Sequence, residues 1–169
     1  MYKKGNEWKY LINNSQELVM KVEEEYLKDG KVFLVNNGYI NNKLVQQQRL
    51  FIETNEIYLY ESNGVVIDPC QIFIKFPLQI NDFWIWEGRI GMQNLKYSTI
   101  VSGKQSVLMK EKNIETFIVE TNMDMGSQGK MQVKKWISPK IGIIKEETQV
   151  LANGKEQKII SMLVDYAVK

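Results

Sequence analysis

Residues 136–145 have the sequence Trp136-Ile137-Ser138-Pro139-Lys140-Ile141-Gly142-Ile143-Ile144-Lys145, which predicts a β-hairpin. An apolar segment enters, Ser138-Pro139-Lys140 supplies a turn, and a second apolar segment leaves through Gly142. The remainder of the chain has the same composition of short apolar segments, polar turns and a few aromatic anchors. The stretch therefore predicts an all-β protein.

Polar residues followed by glycine mark further turns between these segments. Glycine, and to a lesser extent Asn or Asp, accepts the positive φ that tight hairpin turns require. We therefore expect hairpin turns at Asp29-Gly30, Asn37-Gly38, Asn63-Gly64, Ser102-Gly103 and Asn153-Gly154.

The segments between the turns alternate with a period of two, as β-strands do. Near the C-terminus, Ile160, Met162, Val164, Tyr166 and Val168 share one face, with Ser161 and Asp165 on the other. Residues 15–28 also fit a strand, but they allow a helix that Ser15 caps and Gly30 ends. A single short helix covering one face of the sheet is therefore the alternative to a purely β structure.

The chain is expected to form a single domain, 1–169, built from two related halves. The halves span approximately residues 5–64 and 81–168, and residues 65–80, which carry Pro69 and Pro77, join them as an edge strand or crossover. Trp8 corresponds to Trp84 in this scheme. Offsets between such pairs vary by about ten residues, which insertions in hairpin loops would produce.

Composition excludes several functions. The chain has no histidine and one cysteine, Cys70, so Ser-His, Cys-His and histidine-bearing zinc sites are excluded, as is an intramolecular disulfide. The formal net charge is +2 with interspersed signs, so we expect no nucleic-acid partner. No apolar run has the ~20 residues of a membrane helix, and no pattern of residues predicts a cofactor.

Three short motifs resemble those of a broad group of bacterial extracytoplasmic proteins, many of them lipoproteins and mostly uncharacterised. Gly5-x-x-Trp8-x-Tyr10 matches the opening motif, and residues 114–117 loosely match a Thr-Phe strand start. Residues 136–145 match a Pro-x-x-Gly-x-x-Lys return, with Lys140 where glycine is usual. The group is similar to LolA/LppX-type half-barrels, which carry lipids or lipidated proteins. This resemblance implies an antiparallel, strongly curved sheet or half-barrel.

Aromatic residues are the candidate ligand-binding residues, because apolar and aromatic side chains dominate small-molecule pockets. The alternative is that they are core anchors or cover strand ends. Trp84 and Trp86 must share a face of a regular strand, which makes that pair the strongest candidate for a binding patch. The predicted set is Trp8, Tyr10, Trp84, Trp86 and Trp136.

Candidate chemistry beyond the aromatics is weak. Among the carboxylates, Glu87 beside the tryptophan pair would be the place for a hydrolytic group, but no spacing supports a catalytic pair. Met123 and Met125 with Met131 could suit Cu(I), although methionines at strand spacing are more often ordinary packing residues. We therefore predict neither a catalytic nor a metal site, and no enzyme.

The sequence and the resemblance together predict a non-enzymatic envelope domain that binds or carries an apolar or amphiphilic ligand on a concave face. The alternative is a structural or protein-interaction module that uses exposed strand edges, with an envelope protein as its partner. An extracytoplasmic location is expected if a leader was removed before residue 1, and a cytoplasmic one otherwise.

Overall fold

The computed structural model describes residues 2–126, 129–152 and 154–169, and these form an all-β structure. Twelve antiparallel strands follow one another along the described chain. They are β1 (Glu7–Ile12), β2 (Gln16–Lys28), β3 (Lys31–Ile40), β4 (Lys43–Glu53), β5 (Glu56–Ser62), β6 (Val65–Lys75), β7 (Phe83–Ile90), β8 (Gln93–Met109), β9 (Lys112–Asp124), β10 (Lys130–Ser138), β11 (Gly142–Ala152) and β12 (Lys155–Ala167).

The strands close into a barrel, so the prediction of a half-barrel is wrong. Each strand pairs with its neighbours in sequence, and β1 also pairs with β12, from Glu7 opposite Ala167 to Ile12 opposite Ser161. This last pairing removes the two free edges that a half-barrel would keep. A curved sheet and a closed barrel have the same alternation along each strand, which is why the periodicity could not distinguish them.

The prediction of antiparallel strands is confirmed, and no covering helix is found among the described residues. The alternative helix was predicted over residues 15–28, of which Gln16–Lys28 form β2 and pair with β1 and β3. Barrel pairing on both sides stabilises the extended conformation here, because it satisfies the backbone hydrogen bonds of the strand. The proposed division into halves stays a prediction.

Turn prediction is only partly successful. Asp29-Gly30 and Asn63-Gly64 do connect strands, and the β10–β11 turn spans 139–141 as expected. Asn37-Gly38 instead lies inside β3, where a Cβ on Gly38 would be 2.7 Å from the Met20 sulfur. Ser102-Gly103 lies inside β8 at a bulge against β9. Asn153 of the fifth dipeptide is outside the described residues.

The glycines at the two wrongly predicted positions therefore serve packing and bulge formation, not turns. Several real turns use other residues. Asn13 and Asn14 connect β1 to β2, and Asn41 and Asn42 connect β3 to β4, all with positive φ. Asparagine tolerates this conformation because its short side chain can hydrogen-bond locally.

The barrel is weakly closed at one place, between β6 and β7. Over these two strands, which the structure describes in full, the ladder consists of Ile67 opposite Ile90 and Asp68 opposite Arg89. The rest of β6 pairs with β5 alone. We call the unpaired facing stretches, residues 69–75 of β6 and 83–88 of β7, the seam. Residues 65–80, predicted to be an edge strand or crossover, contain β6 and lead to β7, and their role as a link between two halves stays a prediction.

Candidate functional site

Described residues line two cavities of the barrel interior. The larger, the aromatic cavity, has a volume of about 260 Å³ and is lined by Tyr2 and by residues of β1–β6 and β10–β12. The smaller, the seam cavity, has a volume of about 160 Å³ and is lined by Leu78 and by residues of β6–β10. Since strands from opposite sides of the barrel contribute to each wall, both cavities lie within the lumen.

Side chains separate the two cavities. Gln71, Phe73 and Lys135 line both of them. The Lys135 ammonium, from β10, lies 5.2 Å from the centre of the Phe73 ring, on β6. It also lies 3.6 Å from a carboxylate oxygen of Glu146, on β11. The lumen therefore contains an ion pair beside an aromatic ring, and these side chains divide it.

Trp8 and Tyr10 form one wall of the aromatic cavity. Trp8 is 1% exposed, and its indole N–H donates to the carbonyl of Ile141 at 2.7 Å. The Tyr10 hydroxyl donates to the carbonyl of Ile143 at 3.0 Å. These two bonds hold the backbone on either side of Gly142, whose φ is +107°. The opening motif and the 136–145 hairpin thus meet in space, and each holds the other in place.

Tyr2 completes the aromatic wall, although the sequence prediction did not include it. Its ring is 5% exposed and lies 4.7 Å from the Trp8 ring and 6.0 Å from the Phe73 ring, between centroids. The polar neighbours Lys3 and Lys4 give it no periodic pattern from which burial could be predicted. Gly5, with positive φ, follows and leads the chain into β1.

The tyrosines of this wall remain neutral at physiological pH. Burial raises the pKa of Tyr2, and the charge of Glu146 raises it further. Burial also raises the pKa of Tyr10 well above its ordinary value, with smaller contributions from Tyr2 and Glu146. Both rings therefore present a phenol and not a phenolate to the cavity.

Polar side chains line the opposite part of the aromatic cavity. Asn36, on β3, is 2% exposed, and its amide nitrogen donates to Gln48 Oε1 at 2.9 Å. Its carbonyl oxygen, Oδ1, has no hydrogen-bond partner among the described residues. Gln46 and Ser161 also line this cavity. Ser161 therefore faces inward, and the buried Leu163 lies on the same face of β12. The period-two pattern instead groups the opposite face, from Ile160 to Val168, as the apolar one.

Trp84 and Trp86 lie at the seam and share a face of β7, as predicted. Trp84 lines the seam cavity. The Trp86 indole N–H donates to the carbonyl of Pro69 on β6 at 2.9 Å, and its ring stacks on Tyr97 at 5.0 Å. The Tyr97 hydroxyl, whose pKa burial raises, donates to Gln71 Oε1 at 2.7 Å. Side chains thus bridge the seam where the backbone ladder does not.

Trp136 is separate from the other four predicted residues. Its neighbour Lys135 faces the lumen, so alternation places Trp136 on the outer face of β10. There its indole N–H donates to Gln105 Oε1 at 2.8 Å, and the Lys145 ammonium lies 4.3 Å from its ring. Of the predicted set, the structure brings Trp8 and Tyr10 together at one cavity and Trp84 and Trp86 together at the seam.

The other candidate groups have environments that do not favour catalysis. Glu87 is exposed and contacts Lys96 at 2.8 Å, and a hydrogen bond and the charge of Lys96 lower the pKa of Glu87, opposite to what a general acid needs. Burial raises the pKa of the Cys70 thiol, which reduces its thiolate fraction. Met123 and Met131 line the seam cavity, and Met125 packs against the core. Across 2–126, 129–152 and 154–169, no three His, Cys, Asp or Glu residues are placed to hold a metal ion.

Solved structures show that the fold is shared with bacterial proteins. A Bacteroides fragilis protein, described as exported and as having a YmcC-like fold, has a TM-score of 0.59 and 14% identity over 98% of this chain and 97% of its own. A Parabacteroides distasonis protein described as a lipoprotein has a TM-score of 0.56 and 10% identity over 98% and 96%. The hypothetical lipoprotein YmcC of Escherichia coli has a TM-score of 0.47 and 13% identity over 98% and 86%.

The likeness to the first two structures shows that this chain has the same fold as theirs. No protein-family model and no curated protein matches the sequence. In the described part of the chain, no helix has the length and apolar character needed to cross a membrane.

Proposed function

We propose that this protein is a non-enzymatic binding or carrier domain of the bacterial cell envelope, which takes an amphiphilic ligand into its barrel. The observation that carries this function is the aromatic cavity. Protein interiors are normally packed to the density of organic crystals, whereas here a space of about 260 Å³ lies beside the side chains of Tyr2, Trp8, Tyr10 and Phe73.

The dimensions of the lumen favour a narrow ligand. Ligand pockets commonly have volumes of ~300–1,000 Å³, and the aromatic cavity lies just below that range. The seam cavity continues the lumen beyond Phe73 and Lys135, whose flexible side chains separate the two volumes. Movement of Gln71, Phe73 and Lys135, which line both cavities, would join them, and a single alkyl chain could then extend from one cavity into the other.

The seam supplies a route into the lumen. Few backbone hydrogen bonds join β6 to β7, so separating these strands costs less than separating any fully paired neighbours. The side-chain contacts that must break include the bond from Trp86 to Pro69 and the bond from Tyr97 to Gln71. The Lys75 ammonium, 5.9 Å from the centre of the Trp84 ring, also crosses the seam. An envelope location is supported by the shared fold, since the B. fragilis protein is described as exported and the P. distasonis protein as a lipoprotein.

The seam also favours a second candidate function, a protein-interaction module. The facing edges of β6 and β7 have unpaired backbone groups, which an extended segment of a partner could fill as an added strand. Phe83 and Ile85, on the outer face of β7, are 58% and 56% exposed and would provide apolar contacts. This function requires no ligand in the lumen.

Native mass spectrometry together with fluorescence quenching tests the carrier function. We expect a gently purified sample to show an apolar adduct that denaturation removes, and 11-bromoundecanol to quench tryptophan fluorescence. Ser161→Leu, which fills part of the aromatic cavity, should weaken the quenching. The matched control Ser106→Leu changes an exposed serine and should leave it unchanged.

An apo mass together with no quenching would contradict the carrier function. Under that outcome, the interaction module becomes the better account, and a complex or dimer that Phe83→Ser disrupts would support it. Quenching that Ser161→Leu and Ser106→Leu both leave intact would place the binding site outside the aromatic cavity.

A further inference from the structure

We infer that one end of the barrel docks on the surface of a lipid bilayer, through exposed apolar residues of three neighbouring hairpins. A carrier of an amphiphile has to meet a lipid surface, and only in that respect does the inference rest on the proposed function. The docking residues lie at the ends of the β3–β4, β5–β6 and β7–β8 hairpins, and we call them the apolar tip. They are Leu44, Val45, Val65, Val66 and Met92.

The side chains of the apolar tip are unusually exposed for their size. Met92, in the turn between β7 and β8, is 100% exposed, and the other four side chains are 40–59% exposed. A large apolar side chain exposed singly is ordinary, whereas several at one place mark a surface that contacts a partner or a membrane. The grouping of the five residues therefore requires an explanation outside the fold.

Hydrogen bonds hold the three hairpin ends side by side. The Gly91 N–H donates to the Val66 carbonyl at 3.0 Å, and a Cβ on Gly91 would lie 3.2 Å from Val65 Cγ1. The Asn63 N–H donates to the Gln47 carbonyl at 2.8 Å, and Asn63 Oδ1 accepts from the Gln47 N–H at 2.7 Å. The apolar residues therefore belong to one connected surface.

The segments around the apolar tip carry almost no charge. Residues 41–47, 62–67 and 90–95 contain one charged residue, Lys43, and no carboxylate, although 25% of the chain is charged. Their polar residues are otherwise Asn, Gln and Ser, whose transfer out of water costs less than that of a charged group. Anionic lipids give a membrane surface a negative potential, so a tip with one lysine and no carboxylate suits it.

The opposite end of the barrel has a different character. Leu27 and Leu108 are exposed there, at the β2–β3 and β8–β9 hairpins. Each of them lies within three residues of charges of both signs, in Lys28-Asp29 and in Lys110-Glu111. Contact with lipid would remove water from these charged groups, which is expensive. The apolar tip is therefore the end of the barrel that suits a bilayer.

The composition of the apolar tip fits lipid better than it fits a protein partner. Protein interfaces are enriched in Trp, Tyr, Phe and Arg, and such residues supply most of their binding energy. None of these residue types occurs in 41–47, 62–67 and 90–95. The hydrophobic effect is non-directional, so aliphatic side chains need no shaped partner surface to enter a lipid layer.

The apolar tip adjoins both the lumen and the seam. Gln46, next to Val45, lines the aromatic cavity. Val66 precedes the two β6 residues that pair with β7, and the seam begins directly after them at residue 69. At ~3.3 Å per residue of a strand, the start of the seam lies about 10 Å from Val66. Docking of the tip would therefore bring the seam close to the lipid surface.

Vesicle flotation tests the inference. The protein is mixed with vesicles of phosphatidylcholine, with and without phosphatidylglycerol. We expect binding to both, with a preference of no more than about fivefold for the anionic vesicles, because the tip has one lysine. Binding to phosphatidylcholine should persist in about 1 M NaCl, because salt screens charges and not apolar contacts.

Met92→Ser combined with Val66→Ser should weaken vesicle binding by about 10- to 100-fold, because both changes remove apolar side chains that lipid would bury. The matched control is Leu108→Ser, which changes an exposed apolar residue at the opposite end and should leave binding unchanged. Thermal unfolding of each variant would verify that it is folded.

A fluorophore at the tip gives a second measurement. It is attached to Met92→Cys in a chain whose native thiol is removed by Cys70→Ser, and its emission should shift to the blue when vesicles are added. The same fluorophore on Leu108→Cys should show no shift.

Absence of binding to every vesicle would overturn the inference, as would binding to anionic vesicles alone that high salt abolishes. It would also be overturned if the double variant bound as well as the unmodified protein, or if Leu108→Ser weakened binding equally. A dimer that the double variant disperses, without vesicle binding, would assign the tip to a second copy of the chain. Quenching by 11-bromoundecanol is measured without vesicles, so failure of the tip leaves the carrier function standing. Loss of quenching with vesicle binding intact would contradict the carrier function alone.

Discussion

Replacing Gly88 by alanine should destabilise the protein by loosening the one place where β6 and β7 are in register. A Cβ at Gly88 would lie 2.6 Å from the Asp68 carbonyl oxygen, 2.6 Å from Pro69 Cδ and 2.7 Å from Trp86 Cζ2. Favourable contacts between such atoms need ~3.5–4.0 Å. Each contact is therefore about 1 Å too short, and the Asp68 contact is with backbone.

The atoms around Gly88 cannot move independently. The Trp86 ring is held by its bond to the Pro69 carbonyl, and Asp68 is one of the two β6 residues paired with β7. Relief therefore requires the seam to widen. Overpacking of this kind costs about 1–3 kcal/mol, against a gain of ~0.4–1 kcal/mol because alanine restricts the unfolded chain.

Gly103→Ala is the matched control, because nothing lies within 4 Å of a Cβ at Gly103 and its φ is not positive. Alanine restricts the unfolded chain equally in both variants, so this stabilising effect cancels in the comparison. Gly88→Ala should therefore be less stable than Gly103→Ala by about 1–3 kcal/mol. Urea unfolding, followed by tryptophan fluorescence, measures the difference, and hydrogen exchange of the β6 amides should increase in Gly88→Ala alone. Equal midpoints for the two variants would refute the close packing of Asp68, Pro69 and Trp86 around Gly88.

Two further predictions concern the buried tyrosines. Tyr10→Phe should lower the free energy of unfolding by about 1–3 kcal/mol, because the Ile143 carbonyl loses its donor; Tyr166→Phe, at an exposed position, should have little effect in the same urea titration. Stability should also fall above about pH 10, because the unfolded chain loses phenolic protons that Tyr2, Tyr10 and Tyr97 retain in the folded state, where their pKa values are raised. The loss is up to ~1.4 kcal/mol per pH unit for each tyrosine. Unfolding titrations at pH 9 and 11 would show it, with a shallower dependence in Tyr10→Phe than in Tyr166→Phe; a pH dependence identical in both variants would contradict it.

Local features of the fold could be predicted because they depend on local physics. The turns at Asp29-Gly30 and Asn63-Gly64 follow from the tolerance of these residues for positive φ. The common face of Trp84 and Trp86 follows from the alternation of a strand. Prediction failed at Asn37-Gly38, because a glycine that makes room for Met20 inside a strand has the same local sequence as a turn.

Much of the candidate site could not be predicted. Lys135, Glu146 and Ser161 have the polar character of a wet strand face, and sequence reasoning therefore omitted them. They line the lumen because closure of the barrel turns that face inward. Asn36 was omitted for the same reason. Its amide nitrogen bonds to Gln48 only because β4 pairs with β3, and the lack of a partner for its Oδ1 among the described residues follows from that arrangement.

The sequence by itself determined the antiparallel β class and several turns, among them the turn of the 136–145 hairpin. These depend on backbone preferences and on patterns a few residues long. Only the tertiary structure decided that β1 pairs with β12, that β6 and β7 remain mostly unpaired, and that a polar and aromatic cavity is left inside. Those features result from pairing and packing between residues far apart in the chain, which short-range alternation does not encode.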